Sequence, residues 1–83
     1  MRQERCDVMF KHGYFADIDC YVDYQCEDDF TTTSLVGFGF LDEHDEECDL
    51  THMLKLELQD FENVLHAAID KHKDKLIEDE LND

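Results

Sequence analysis

A histidine–cysteine motif in the middle of the chain offers side chains that can bind a metal ion. His44, Cys48 and His52 are each separated by three residues, and imidazole nitrogen and thiolate sulfur are zinc ligands. Structural zinc sites more often use closely spaced ligand pairs, and His52 falls on the core side of a predicted strand. We therefore predict a protein without a metal or other cofactor, and keep these three residues as the alternative site.

The remaining cysteines indicate packing rather than catalysis. Cys6, Cys20 and Cys26 fall at apolar positions, where a thiol usually packs as a small hydrophobic side chain. The chain also lacks a glycine loop of the kind that binds phosphate groups. The first ten residues contain no apolar run typical of a signal peptide, so we expect a cytoplasmic protein with reduced thiols. The sequence thus favours a protein that is not an enzyme.

Carboxylates are the most abundant chemical groups of the chain. The 83 residues carry 23 Asp and Glu against 7 Lys and Arg, a formal net charge of −16. No lysine or arginine occurs between residues 12 and 54, whereas a surface that only has to be soluble usually mixes both signs. This stretch therefore indicates a negative surface with a binding role. Its acids are Asp17, Asp19, Asp23, Glu27, Asp28, Asp29, Asp42, Glu43, Asp45, Glu46, Glu47 and Asp49.

The negative field restricts the class of partner. It argues against direct binding to nucleic acid or to an anionic membrane and favours a basic protein. Alternate residues of a strand lie about 6.6 Å apart, so rows of carboxylates could occupy the lysines and arginines that normally bind phosphates. An ordinary solvated acidic face is the alternative. Calcium binding is disfavoured, because the glycine and the distal glutamate of an EF-hand loop are missing.

Alternation of apolar and polar residues predicts the elements that carry these acids. Even-numbered residues form the apolar face of four strands, and from residue 60 the apolar residues recur every three or four positions, as in an amphipathic helix. We predict one α+β domain over residues 1–83, a small antiparallel meander followed by a helix packed on one face. The predicted bounds are about 5–11, 15–26, 31–41 and 49–58 for the strands and about 60–79 for the helix.

The first turn determines which residues of the first two strands are neighbours. A three-residue loop at residues 12–14 keeps the two apolar faces on the same side of the sheet. Gly37 and Gly39 predict a bulge or a close backbone approach in the third strand. The three-residue loop pairs Phe10 with Ala16, Val8 with Ile18 and Cys6 with Cys20.

Two aromatic residues are predicted among the acids of the outer face. Phe15 and Tyr21 have odd numbers and so share this face with Asp17, Asp19 and Asp23. Aromatic side chains among carboxylates are typical of protein-binding surfaces when they are exposed. We therefore count both aromatics with the twelve acids as candidate partner-binding residues.

Charge and architecture together resemble, at the level of class only, two kinds of small acidic protein. One is the phage-encoded inhibitor that imitates DNA to disable CRISPR, restriction or repair enzymes, and the other is the immunity protein of the barstar type that blocks a nuclease toxin. The leading hypothesis is a protein inhibitor of a nucleic-acid-binding protein, of the anti-CRISPR or anti-restriction type. The alternatives are an immunity-type inhibitor and an acidic assembly subunit that forms a homodimer.

Overall fold

The computed structural model, which describes residues 1–81, contains a four-stranded antiparallel sheet followed by a helix. The strands lie in the order β1-β2-β3-β4, so the α+β meander predicted from the sequence is present. Residues 82 and 83 of the predicted domain lie outside the described part. The elements are β1 (Arg2–Val8), β2 (Cys20–Cys26), β3 (Ser34–Leu41), β4 (Glu47–Asp49), a 3₁₀ helix (Thr51–Leu56) and α1 (Gln59–Leu81).

The core lies between the sheet and α1. The helix contributes Phe61, Leu65 and Ile69, one buried residue per turn, as the helical spacing predicts. Aromatic rings fill the space between the layers, since the ring of Phe61 stands at 90° to that of Phe38 with 4.8 Å between the centroids. The buried side chains on the inner face of the sheet are Cys6, Val8, Cys20, Val22, Tyr24, Cys26 and Phe38, all of them even-numbered.

The first connection is longer than predicted, which changes the register. Cys6 pairs with Val22, and Val8 pairs with Cys20, so the predicted pairing of Cys6 with Cys20 is wrong. The faces stay matched because the shift is two residues. Phe10 and Ala16 still form an isolated bridge, but it is parallel.

Turns within residues 9–19 explain this difference. The amides of Ala16 and Ile18 donate to the carbonyls of Gly13 and Phe15, at 3.3 and 3.2 Å. Asp17 adopts a positive φ of 64°, a conformation in which a strand cannot continue. The segment therefore bends back as a loop where the sequence predicts strand.

A bulge interrupts the pairing of β2 with β3. Asp23 lies opposite Gly37 and Tyr24 lies opposite Leu35, which leaves Val36 as the extra residue. Leu35 packs against the core, while Val36 is partly exposed. The residues of β3 that face the core therefore have even numbers after the bulge and odd numbers before it. The prediction of a bulge or close approach at the glycines is thus confirmed.

The fourth strand is much shorter than the predicted 49–58. After Asp49 the chain turns into the 3₁₀ helix, because the Asp49 carboxylate accepts hydrogen bonds from the amide and the hydroxyl of Thr51. Leu50, Met53 and Leu54 pack against the core. His52, predicted to face inward, is exposed.

Candidate functional site

The outer face of the sheet carries part of the predicted site. The helix packs against β1 and β2 on the inner side, and within residues 1–81 no second layer covers the outer side. Strand pairing places Tyr21 between Asp7 and Gly39, with Asp49 beyond the glycine. The adjacent row joins Arg5, Asp23 and Gly37, as expected for residues that alternate along paired strands.

Arg5 neutralises two of the predicted acids. Its guanidinium binds the Asp23 carboxylate through two hydrogen bonds, Nε to Oδ1 at 2.6 Å and Nη2 to Oδ2 at 3.0 Å. Its third nitrogen, Nη1, binds Glu47. These contacts, the Asp23 hydrogen bond first, raise the pKa of Arg5. Asp23 and Glu47 are therefore engaged within the fold.

Sequence reasoning missed this arginine. It is exposed and charged, and it belongs to a segment outside the acidic stretch, so nothing in the linear pattern connects Arg5 to Asp23. Only the register of β1 against β2 could have revealed this contact, because residues opposite one another in neighbouring strands share a face. The predicted pairing placed Arg5 opposite Tyr21, two residues from its observed neighbour.

Tyr21 lies on the predicted face but is only 5% exposed. The guanidinium carbon of Arg5 stands 4.0 Å from its ring centroid, a cation–π contact, and the ring crosses Gly39, which has no side chain to displace it. Burial, with the charge of Glu47 adding to it, raises the pKa of the Tyr21 hydroxyl. Tyr21 is thus a covered residue and not an exposed aromatic anchor.

Phe15 leaves the outer face altogether. Its ring lies 5.6 Å from the ring of Phe38 and 5.8 Å from that of Phe10, measured between centroids. The prediction that Phe15 faces outward among the acids is wrong, because the turns of residues 9–19 rotate it into the core.

Three further acids shape turns. Asp29 accepts hydrogen bonds from the hydroxyl and the amide of Thr31, at 2.6 and 3.2 Å, and Asp42 accepts from the amides of His44 and Glu46, at 2.8 and 2.9 Å. Asp49 accepts a hydrogen bond from the amide of Thr51, the first residue of the 3₁₀ helix, at 2.9 Å. The hydrogen bonds from the threonines lower the pKa of Asp29 and of Asp49.

The predicted acids that lie in loops and turns divide between the two ends of the sheet. Antiparallel strands place the β1–β2 loop and the β3–β4 turn at one end and the β2–β3 loop at the other. The amide of Leu41 donates to the carbonyl of Asp19 at 2.9 Å, which joins the first two segments. We call this first end the acidic end; its residues are Asp17, Asp19, Asp42, Glu43, Asp45 and Glu46. The opposite end holds Glu27, Asp28 and Asp29.

The acidic end presents its carboxylates from the β1–β2 loop and from the β3–β4 turn. All of them except the half-buried Asp42 are exposed, and within residues 1–81 none forms an ion pair. The β3–β4 turn is closed by the Asp42 amide, which donates to the Glu46 carbonyl at 3.0 Å, and by the Asp45 amide, which donates to the Asp42 carbonyl at 3.0 Å. These two hydrogen bonds define the backbone of the turn that carries Glu43, Asp45 and Glu46.

The alternative metal motif does not converge. Across residues 1–81, no group of three or more His, Cys, Asp or Glu side chains is arranged to hold a metal ion. His44 lies in the β3–β4 turn, Cys48 in β4 and His52 in the 3₁₀ helix, so the three occupy successive elements.

Comparison with known proteins finds no relative of this chain. It matches no family model, no curated protein and no solved structure. None of the helices within residues 1–81 has both the length and the apolar composition needed to cross a membrane.

Proposed function

We propose that the protein is an inhibitor that binds a basic, nucleic-acid-binding protein and competes with its nucleic acid. The observation that supports this most is the acidic end, where two segments distant in sequence present carboxylates that no cation of residues 1–81 neutralises. Carboxylates can accept the same charge-assisted hydrogen bonds from Lys and Arg that phosphates accept.

The outer sheet face contributes less to this proposal than the loops. Asp23 and Glu47 already bind the guanidinium of Arg5, so a lysine of the partner would have to displace Arg5 to bind either carboxylate. Asp7 and Asp49 remain on this face as exposed acids beside Tyr21. The binding surface we propose is therefore the acidic end, with the neighbouring acids of the sheet at its border.

The class of inhibitor is the finer part of the proposal. A phage protein of the anti-CRISPR or anti-restriction type, acting in the host cytoplasm, fits the size and the charge, and an immunity protein against a nuclease toxin uses the same chemistry. An acidic assembly subunit that forms a homodimer through outer-face aromatics has less support, because Tyr21 is buried and Phe15 packs against the core.

The proposal can be tested by capturing proteins from a bacterial lysate and eluting them with nucleic acid. The immobilised protein should retain nucleic-acid-binding proteins at physiological salt and release them to a short DNA or RNA duplex. Release should also be steep in salt, because many charges are neutralised at once. A variant with amides at five exposed acids should lose this capture. Those changes are Asp17→Asn, Asp19→Asn, Glu43→Gln, Asp45→Asn and Glu46→Gln; Asp42 is kept because it closes the turn.

A variant of equal net charge separates the surface from the total charge. It carries five amide changes on α1: Glu62→Gln, Asp70→Asn, Asp74→Asn, Glu78→Gln and Asp79→Asn. Capture should survive in this control. Equal loss in both variants, or retained proteins that a duplex does not release, would contradict a binding site at the acidic end.

A further inference from the structure

An open groove of about 1050 Å³ lies where β1 and the loop after it meet α1. Its lining is polarised. Phe10, Phe15, Phe61 and Val64 line one end, together with the charged neighbours Lys11 and Asp60, whereas Lys71 and Lys75 line the other end. None of the twelve acids assigned to partner binding lines it, so the groove is a surface separate from the acidic end.

The groove includes the free edge of the sheet. β1 pairs with β2 only, so within residues 1–81 its other edge has no partner strand. Cys6, on the inner face, and Asp7, on the outer face, both line the groove, which therefore wraps around this edge. Unpaired backbone N–H and C=O groups beside a groove are what an added peptide strand uses for binding.

The two arginines of β1 are engaged within the fold. Arg2 binds Glu80 at 2.7 Å, and Arg5 binds Asp23 on the neighbouring strand. In contrast, Lys71 and Lys75 of α1 form no ion pair within residues 1–81. Cations without partners are conspicuous in a chain of net charge −16, and they favour an acidic occupant.

We propose that an extended peptide segment of a partner protein adds to the edge of β1, with an acidic residue followed by apolar residues two and four positions further along. The alternate side chains that face the helix would place the acid near Lys71 and Lys75 and the apolar groups against Val64, Ala67 and Phe61. Backbone hydrogen bonds to β1 would supply affinity that depends little on sequence, and these pockets would supply specificity.

The spacing of the helix matches that of a strand. Residues four apart on a helix are separated by about 6 Å along its axis, and alternate residues of a strand by about 6.6 Å. The Tyr24 hydroxyl lies 2.8 Å from Nδ1 of His72, and Tyr24 pairs with Glu4, so the basic half of α1 runs beside the first half of β1. One side chain of the added strand thus faces each turn of the helix.

A second copy of this chain fits the groove less well. A two-fold interface pairs the same patch of both subunits with the two β1 edges antiparallel, so the basic end of each groove would face the phenylalanine end of the other instead of an acid. Two chains of net charge −16 would also repel one another. Charge complementarity therefore favours an acidic segment from another protein.

Fluorescence anisotropy with a labelled nine-residue peptide tests the proposal. The probe carries Glu at its third position, Val at its fifth and Ile at its seventh, separated by threonines. We expect saturable binding, about tenfold weaker binding for the double variant Lys71→Glu/Lys75→Glu, and no change for Lys55→Glu on the 3₁₀ helix. The amide resonances of residues 2–8 should shift on binding.

Altered peptides separate strand addition from other modes of binding. N-methylation of the residues whose amides face β1 should abolish binding, because it removes the donors of the added strand. Lysine in place of the glutamate should weaken it to the same extent as the double variant. Absence of binding, binding that survives N-methylation, or occupation of the groove by a second copy or by an anionic amphiphile such as dodecanoate instead of the peptide would each overturn the proposal.

Discussion

The hydroxyl of Tyr24 lies 2.8 Å from Nδ1 of His72, and this hydrogen bond connects the centre of the sheet to α1. The ring of Tyr24 is fully buried, with the two rings 5.8 Å apart at 89°. The periodic pattern predicts His72 on the apolar side of the helix, and the hydrogen bond shows how a polar ring is accommodated there.

Replacing Tyr24 with phenylalanine should lower the free energy of unfolding by about 0.5–1.5 kcal/mol, because His72 loses its hydrogen-bond partner in the core. Urea unfolding followed by circular dichroism measures the change. Tyr14→Phe is the matched control, since Tyr14 is 96% exposed and should unfold as the parent does. Equal stability of the Tyr24 variant and the parent would mean that the bond contributes nothing.

Gly39→Ala should destabilise the protein by about 1–3 kcal/mol, the usual cost of overpacking. A Cβ at this position would lie 2.7 Å from Cζ of Tyr21 and closer still to the Cys48 carbonyl oxygen, which belongs to the backbone and cannot move aside. Thermal unfolding of this variant should be compared with that of Gly37→Ala. There the nearest atom is a carboxylate oxygen of Asp23, at 3.1 Å, so the loss should be smaller. The reverse order would contradict this account of the outer face.

Arg5→Met should cost about 1–2 kcal/mol of stability. The cation–π contact with Tyr21 contributes about 0.5–1 kcal/mol, and each of the exposed ion pairs with Asp23 and Glu47 contributes about 0.2–1 kcal/mol. Urea unfolding at low and at high salt measures it. The loss should shrink in 1 M NaCl, which screens the repulsion between the two released carboxylates. Arg5→Lys should fall between parent and variant, because lysine keeps the charge but not the two-point contact.

Stability should fall as the pH rises above about 9. Burial raises the pKa of the Cys6 and Cys20 thiols to about 11 and that of the Tyr24 hydroxyl to about 12. A raised pKa in the folded state means that the unfolded chain releases its protons first. The stabilisation is therefore complete below pH 9 and is lost as the pH passes through 11 and 12.

Urea unfolding at pH 8 and at pH 10.5 measures this loss, which we expect to be about 4 kcal/mol from the two thiols together. The double variant Cys6→Ala/Cys20→Ala should show a flatter dependence, although cavities lower its stability at pH 8. An equally steep fall in that variant would exclude the thiols as the cause.

The sequence predicted the fold better than it predicted the surface. Alternation identified the inner residues of β1 and β2, such as Val8 and Val22, and the helical spacing identified Phe61 and Leu65. Both succeed because an element buried on one side repeats its apolar residues at the period of the strand or helix. Alternation was misleading after Asp49. There the Asp49 side chain accepts a hydrogen bond from Thr51, and a 3₁₀ helix begins in place of a longer strand. The spacing of apolar residues carries no information about such a side-chain hydrogen bond.

The candidate site required contacts between segments far apart in sequence. The acids were evident from composition, but the binding of Asp23 and Glu47 to Arg5 depends on the register of all four strands. The burial of Tyr21 depends on a glycine in the next strand and an arginine in the previous one. The acidic end likewise depends on the hydrogen bond between Leu41 and Asp19.

The order of the elements has a consequence for synthesis on the ribosome. The inner face of the sheet is complete once Asp49 has been made, but its cover, α1, is the last element translated among residues 1–81. A nascent chain therefore displays Val22, Phe38 and their apolar neighbours before any partner for them exists. Such a surface is a substrate for chaperones, and a ribosome that stalls within α1 would hold the chain in an aggregation-prone form.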